Sequence, residues 1–143
     1  MITRTGSARY QGMGKDGRGW VSTQSGVLKD QPYGFNTRFE DGAGTNPEEL
    51  IAAAHASCFT MALSFALARE GISEGTLETE ARVKLDKEGD GFKISRSDLT
   101  LSANVALDEA RLRELAEDAK KNCPVSKLLN AEMTLEVKAQ QPA

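Results

Sequence analysis

The stretch Asn46-Pro-Glu-Glu-Leu-Ile-Ala-Ala-Ala-His-Ala-Ser-Cys-Phe-Thr-Met-Ala-Leu-Ser-Phe-Ala-Leu-Ala68 decides the fold. Asn46 can cap a helix, and Pro47 suits the first helical position because its missing N–H would have no intrahelical partner there. Glu49 stands where a capping box places its acidic member. From Leu50 to Ala68 no formally charged residue occurs, and the run approaches the about 20 residues that cross a bilayer as a helix. Its His55, Ser57, Thr60, Ser64 and many alanines suit lipid poorly, and no second span accompanies it, so a helix buried in protein is expected rather than a membrane segment. A helix apolar on nearly all sides needs cover on nearly all sides. One small sheet cannot supply it, which predicts a second layer from a partner subunit.

Before this helix the chain is punctuated by glycine, in Gly12 to Gly19, Ser25-Gly26 and Asp41-Gly-Ala-Gly-Thr45. Between these lie Trp20-Val21 and Phe35-Asn-Thr-Arg-Phe39, which read as short strands joined by turns. After Gly71 the period falls to two. Leu77, Thr79, Ala81, Val83 and Leu85 share one face and charged residues the other, as in a half-buried strand. A turn at Lys87 to Gly91 leads to a second strand, whose Phe92 and Ile94 fall out of phase with Leu99, Leu101, Ala103 and Val105. That slip predicts a bulge near Arg96 to Asp98. Asp108 can cap a helix with Leu112, Leu115, Ala116 and Ala119 on its inner face, ending near Asn122. Cys123-Pro124 breaks the pattern, a short helical turn through Leu128 and Leu129 follows, and Met133, Leu135, Val137 and Ala139 alternate as a last strand.

The 143 residues show no compositional break, so one domain over 1–143 is expected, and 39% hydrophobic with 27% charged residues is ordinary for a globular chain. A net charge of -3, from 18 basic and 21 acidic residues mixed along the chain, argues against a nucleic-acid partner. Two cysteines are too few to staple a secreted mini-domain, and Met-Ile-Thr-Arg-Thr-Gly opens without the apolar run of a signal peptide. Both point to the cytoplasm, where a cysteine pair is more often catalytic or metal-binding than structural.

Cys58 sits within the apolar helix, where an ordinary cysteine is a small hydrophobe with a high pKa. Cys123, before Pro124, stands where helix N-terminal N–H groups favour a thiolate. Their distance in sequence leaves the pairing open. A metal site would have only these two and His55, without paired-ligand spacing, so no metal is expected. At about 100° per residue, Glu48 projects within about 80° of Cys58, whereas Glu49 points to the opposite side. Glu49 is therefore the capping glutamate and Glu48 the candidate for a site. Glu48 lies about 15 Å from Cys58 along the axis and needs an intermediary, for which a long cation would serve.

Phe35-Asn-Thr-Arg-Phe39, Asn46 to Phe59 and Asn122-Cys-Pro-Val-Ser126 resemble the motifs of the OsmC/Ohr family, the osmotically inducible protein C and organic hydroperoxide resistance proteins. Ser22 to Leu28 and Gln31 to Glu40 are similar to its OsmC branch. The resemblance covers essentially the whole chain. It implies an α+β fold of antiparallel sheets wrapped around a long buried central helix, in an intertwined homodimer with sites at the interface. It also implies a peroxidatic cysteine at Cys58, a resolving cysteine at Cys123, a site arginine at Arg38 and its glutamate partner at Glu48.

The implied chemistry is a thiol peroxidase without a cofactor. A Cys58 thiolate, favoured by Arg38 that Glu48 orients, attacks an organic hydroperoxide and becomes a sulfenic acid. Cys123 then closes a disulfide, which an external dithiol, lipoyl-type by the resemblance, reopens. Phe35, Phe39, Phe59, Met61 and Leu128 are candidates for an apolar substrate lining. With an arginine supplying activation, we read His55 as a hydrogen-bonded histidine at a helix–helix contact rather than a base, and Tyr10, Trp20 and Tyr33 as packing residues. Rival uses are a redox sensor on the same fold, a protein with two inert thiols, and a zinc hydrolase.

Overall fold

Glycine-rich turns and short apolar runs make the first 50 residues a meander. The computed structural model describes residues 1–140, and the chain divides into two compact units, Met1–Leu50 and Ile51–Ala143. In the first unit β1 (Gly6–Gln11), β2 (Arg18–Thr23) and β3 (Gln31–Tyr33) form an antiparallel sheet in that order. The β1–β2 connection is a single 3-10 turn at Gly14–Asp16. Gly12 and Gly14 have φ of 77° and 64° there, a left-handed conformation that costs glycine little.

Phe35–Phe39, expected as a strand, is instead a short helix, α1. The Thr37 hydroxyl accepts from the Gly34 N–H at 2.7 Å and donates to the Gly34 carbonyl at 3.0 Å. These local side-chain bonds close a turn that the aromatic and β-branched composition does not suggest.

The long helix, α2, runs Pro47–Arg69. Asn46 caps it as expected, its Oδ1 accepting from the Glu49 N–H at 2.7 Å, while its Nδ2 donates to the Thr37 carbonyl at 2.9 Å. Glu49 does not complete a reciprocal box. Its carboxylate instead accepts from the Thr45 hydroxyl at 2.8 Å. At the far end Gly71, with φ of 86°, donates to the Ala68 carbonyl and Ile72 to that of Leu67, a Schellman closure that satisfies the last turn.

In the second unit β4 (Thr76–Glu88) and β5 (Gly91–Asn104) form an antiparallel hairpin. Its bulge lies at Ser95, where the register passes from Lys84↔Arg96 to Leu85↔Ile94, next to the expected position. Asp108 caps α3 (Glu109–Asn122), accepting from the Arg111 N–H, and α4 (Pro124–Leu128) follows. β6 (Glu132–Gln140) then pairs with β5 in parallel. The α+β class stands, but this sheet is mixed rather than wholly antiparallel, because the α3–α4 connection is long enough to carry the chain back in the same direction.

The core of this unit comprises Phe59, Leu63 and Leu67 from α2, Leu99, Leu101 and Ala103 from β5, Leu112, Ala116 and Ala119 from α3, and Val137 from β6. Only one stripe of α2 is buried. Among the described residues α2 is the one helix long and apolar enough to cross a membrane, yet only 22% of its most apolar window is buried. Met61 and Phe65 are 62% and 60% exposed. Cover was expected on nearly all sides; within the second unit one sheet and α3 meet a single face of α2.

Candidate active site

Each unit positions one half of the residues singled out from sequence. In the first, α1 places Arg38 in its last turn and α2 places Glu48 in its first. The two meet fork to fork, Arg38 Nε donating to Glu48 Oε1 at 3.0 Å and Nη2 to Oε2 at 3.2 Å. Two parallel charge-assisted bonds fix the guanidinium plane, which a single contact would leave free to turn.

A cavity of about 310 Å³ beside this pair is lined by Tyr10, Tyr33, Phe35, Arg38, Phe39 and Pro47, among others. Four aromatic residues line it together with two cationic ones, Arg38 and Lys15. Phe35 and Phe39, two of the candidates for a substrate lining, form part of this wall with their rings 5.1 Å apart. Tyr10 and Tyr33 pack edge to face, as foreseen, and also form part of the wall. The other three lining candidates are placed differently: Phe59 is fully buried in the core of the second unit, and Met61 and Leu128 are exposed.

In the second unit α2 carries Cys58, half-buried, and Cys123 is buried at the junction of α3 and α4. The junction makes Cys123 the C-cap of one helix and the N-cap of the next. Its N–H donates to the Ala119 carbonyl at 2.9 Å, and its sulfur accepts from the Ser126 N–H at 3.3 Å. Pro124 at the first helical position fixes that geometry.

Both thiols are free, and Cys58 packs against the core cluster that contains Cys123, near enough for Cys123 to act on its ionisation. Burial foremost pushes the Cys58 thiol up from its ordinary range. A backbone hydrogen bond from Val125 works the other way, and the neighbouring Cys123 raises it further. A half-buried thiol with this balance needs a cation to act as a nucleophile near neutral pH.

His55, one helical turn before Cys58, is fully buried. Its Nδ1 lies 2.6 Å from Ser97 Oγ on β5 and its Nε2 lies 2.8 Å from Ser126 Oγ on α4. It is hydrogen-bonded, as read from sequence, but its contacts reach a strand and a short helix. Burial lowers its pKa, so the neutral imidazole is favoured. Ser97 and Ser126 were not singled out from sequence. Ser126 lies three positions after Cys123 in a quoted motif, whereas nothing around Ser97 marks it. Among the described residues, no three His, Cys, Asp or Glu side chains are grouped as a metal site would require.

Cys58 on α2 and Cys123 at the α3–α4 junction give the second unit a pair of free thiols, the groups on which cysteine-based redox proteins work. A family model described as OsmC-like protein matches residues 40–138, and the chain belongs to that family. It is 49% identical over 138 residues to Peroxiredoxin OsmC of Escherichia coli, covering 94% of this chain and 95% of that protein. It is 38% identical over 125 residues to the organic hydroperoxide resistance protein OhrB of Bacillus subtilis, covering 84% and 89%. The crystal structure of that OhrB superposes with a TM-score of 0.68 at 31% identity, covering 97% of this chain and 98% of the other. An organic hydroperoxide resistance protein from Elizabethkingia anophelis superposes with a TM-score of 0.76 at 25% identity, covering 98% of each.

Proposed function

We infer that this chain is a thiol-dependent peroxidase that reduces organic hydroperoxides to alcohols, with Cys58 as the attacking thiol and Cys123 as the resolving one. What supports this reading is that two free thiols far apart in sequence, one on α2 and one at the α3–α4 junction, belong to one packed cluster and are near enough for one to act on the ionisation of the other. Names of relatives that span nearly the whole chain support it.

In this mechanism the Cys58 thiolate attacks the distal peroxide oxygen. The O–O bond breaks, the alkoxide leaves and takes a proton, and Cys58 becomes a sulfenic acid. Cys123 then attacks the Cys58 sulfur, forming the S–S bond and releasing hydroxide, which is protonated to water. Capture as a disulfide forestalls oxidation to the irreversible sulfinic state. An external dithiol, which we propose to be lipoyl-type, returns both thiols by exchange.

Arg38 serves the reaction as the cation that favours the thiolate, and Glu48 holds its guanidinium in plane. The aromatic wall around Arg38 suits an alkyl chain, since each buried methylene is worth about 0.8 kcal/mol. The exposed Met61 and Phe65 on α2 fit a second copy of the chain, giving a homodimer. We place the protein in the cytoplasm, where thiols are kept reduced.

The test is a free-thiol titration of the reduced protein before and after one equivalent of an alkyl hydroperoxide, with a mass spectrum of the product. Loss of both thiols with an intramolecular Cys58–Cys123 disulfide is expected. Survival of both thiols under native conditions would overturn the reading. Cys58→Ser should end peroxide consumption, whereas Cys123→Ser should leave the first attack intact and block the disulfide.

A further inference from the structure

The peroxidase mechanism leaves the buried His55 unused, and its hydrogen bonds lead to the resolving thiol. Ser126 Oγ lies 3.2 Å from Cys123 Sγ and 2.8 Å from His55 Nε2, and His55 Nδ1 lies 2.6 Å from Ser97 Oγ. Four side chains thus form one continuous chain, Cys123, Ser126, His55 and Ser97. We propose that His55 is the proton acceptor for Cys123, acting through the Ser126 hydroxyl, so that disulfide closure is driven by a buried relay. The inference rests on the reading of Cys123 as the resolving thiol.

The donors and acceptors balance in two senses of the chain. In the resting sense the Cys123 S–H donates to Ser126 Oγ, the Ser126 O–H donates to Nε2, and the Nδ1–H of the neutral imidazole donates to Ser97 Oγ. Moving one proton along each of the first two links yields the other sense. The Cys123 thiolate then accepts from the Ser126 O–H, in addition to the Ser126 N–H at 3.3 Å. The imidazolium donates Nε2–H to Ser126 Oγ and Nδ1–H to Ser97 Oγ. No heavy atom has to move, and each charge formed has at least two hydrogen-bonding partners.

The thiolate next attacks the sulfur of the Cys58 sulfenic acid. The S–S bond forms, the S–O bond breaks, and the released hydroxide takes the proton from the imidazolium to give water and the neutral ring. The relay starts and ends in the same state and consumes no further reactant. Burial keeps His55 neutral beforehand, with a lone pair free to accept. Ser126 touches the reacting sulfur, whereas His55 acts through it.

A purely structural histidine, pinning α2 to β5 and α4, would show the same distances, so the experiment must separate holding from proton transfer. Full-length reduced protein is mixed with one equivalent of tert-butyl hydroperoxide and quenched over time. Cys58 sulfenic acid, trapped with dimedone, and the Cys58–Cys123 disulfide are both read by mass spectrometry. His55→Gln retains an amide that can hold both serines but is not a base, and it should slow closure at least tenfold relative to attack, so that sulfenic acid accumulates. Ser126→Ala should do the same, and Ser126→Thr, which keeps the hydroxyl, should restore closure.

Closure keeping pace with attack in Ser126→Ala would overturn the relay, as would failure of Ser126→Thr to do better than Ser126→Ala. The serine pair decides the matter even if His55→Gln does not fold. If the unsubstituted protein forms no disulfide at all, the two-thiol reading itself falls, a different result from a disulfide that forms without help from Ser126 and His55.

Discussion

Asp98 offers a quantitative check on the sheet that backs the thiol site. It lies on β5, one residue from the Ser97 that holds His55, and it pairs in register with Thr134 on β6. Arg96 forks onto its carboxylate with two bonds of 3.1 Å, and the Thr134 hydroxyl donates to Oδ1 at 2.6 Å. The Arg96 fork foremost, then Thr134, hold the carboxyl down to about 2, from an ordinary value of 3.8. The folded state therefore binds this proton more weakly than the unfolded chain. The resulting stability is fully present above pH 4 and is lost as pH falls through 2. A difference of nearly two pH units corresponds to about 2.5 kcal/mol. Because the Arg96 side chain is 34% exposed, solvent screening reduces this to about 1–2 kcal/mol. Urea unfolding of the wild type and Asp98→Asn, at one protein concentration and several pH values, measures it. At pH 7 the variant should be less stable by that amount, and the gap should close between pH 4 and pH 2. A gap that does not change with pH would refute the electrostatic account and leave only the lost shape of the hydrogen bonds.

Arg38→Ala should raise the pKa of the Cys58 thiol and slow peroxide attack about ten- to a hundredfold at neutral pH, the equivalent of one charge-assisted interaction. An unchanged pH–rate profile would remove Arg38 from the mechanism. Leu63→Ala, at a position with no exposure, should lose about 3–5 kcal/mol in chemical denaturation, and a loss under about 1 kcal/mol would mean that α2 packs elsewhere. Asn46→Ala removes both the cap on α2 and the link to the Thr37 carbonyl. It should lower stability by about 1–2 kcal/mol, seen as a drop in Tm.

Several elements were legible in the residues alone because their signals are local. The caps at Asn46 and Asp108 depend on a side chain and a backbone N–H two or three positions later, and both bonds are present. The alternation in 77–85 depends on the two-residue repeat of a strand, and β4 alternates accordingly. Glu48 and Glu49 were told apart by helix geometry, and only Glu48 meets Arg38. Where composition misled, as at Phe35–Phe39, a local competitor was at work, since Thr37 binds back to Gly34 and turns a strand-like run into a helix.

By itself, then, the sequence determined the long capped helix, the α+β class and the breaks at Gly71 and Cys123-Pro124. The tertiary structure alone decided the parallel pairing of β5 and β6, the gathering of Cys58 and Cys123 at one core cluster, and the placing of His55 between Ser97 and Ser126. The physical reason is range. Helix caps and strand periods are written within a few residues, whereas His55 and its two serines are 42 and 71 positions apart and meet only when α2, β5 and α4 pack together.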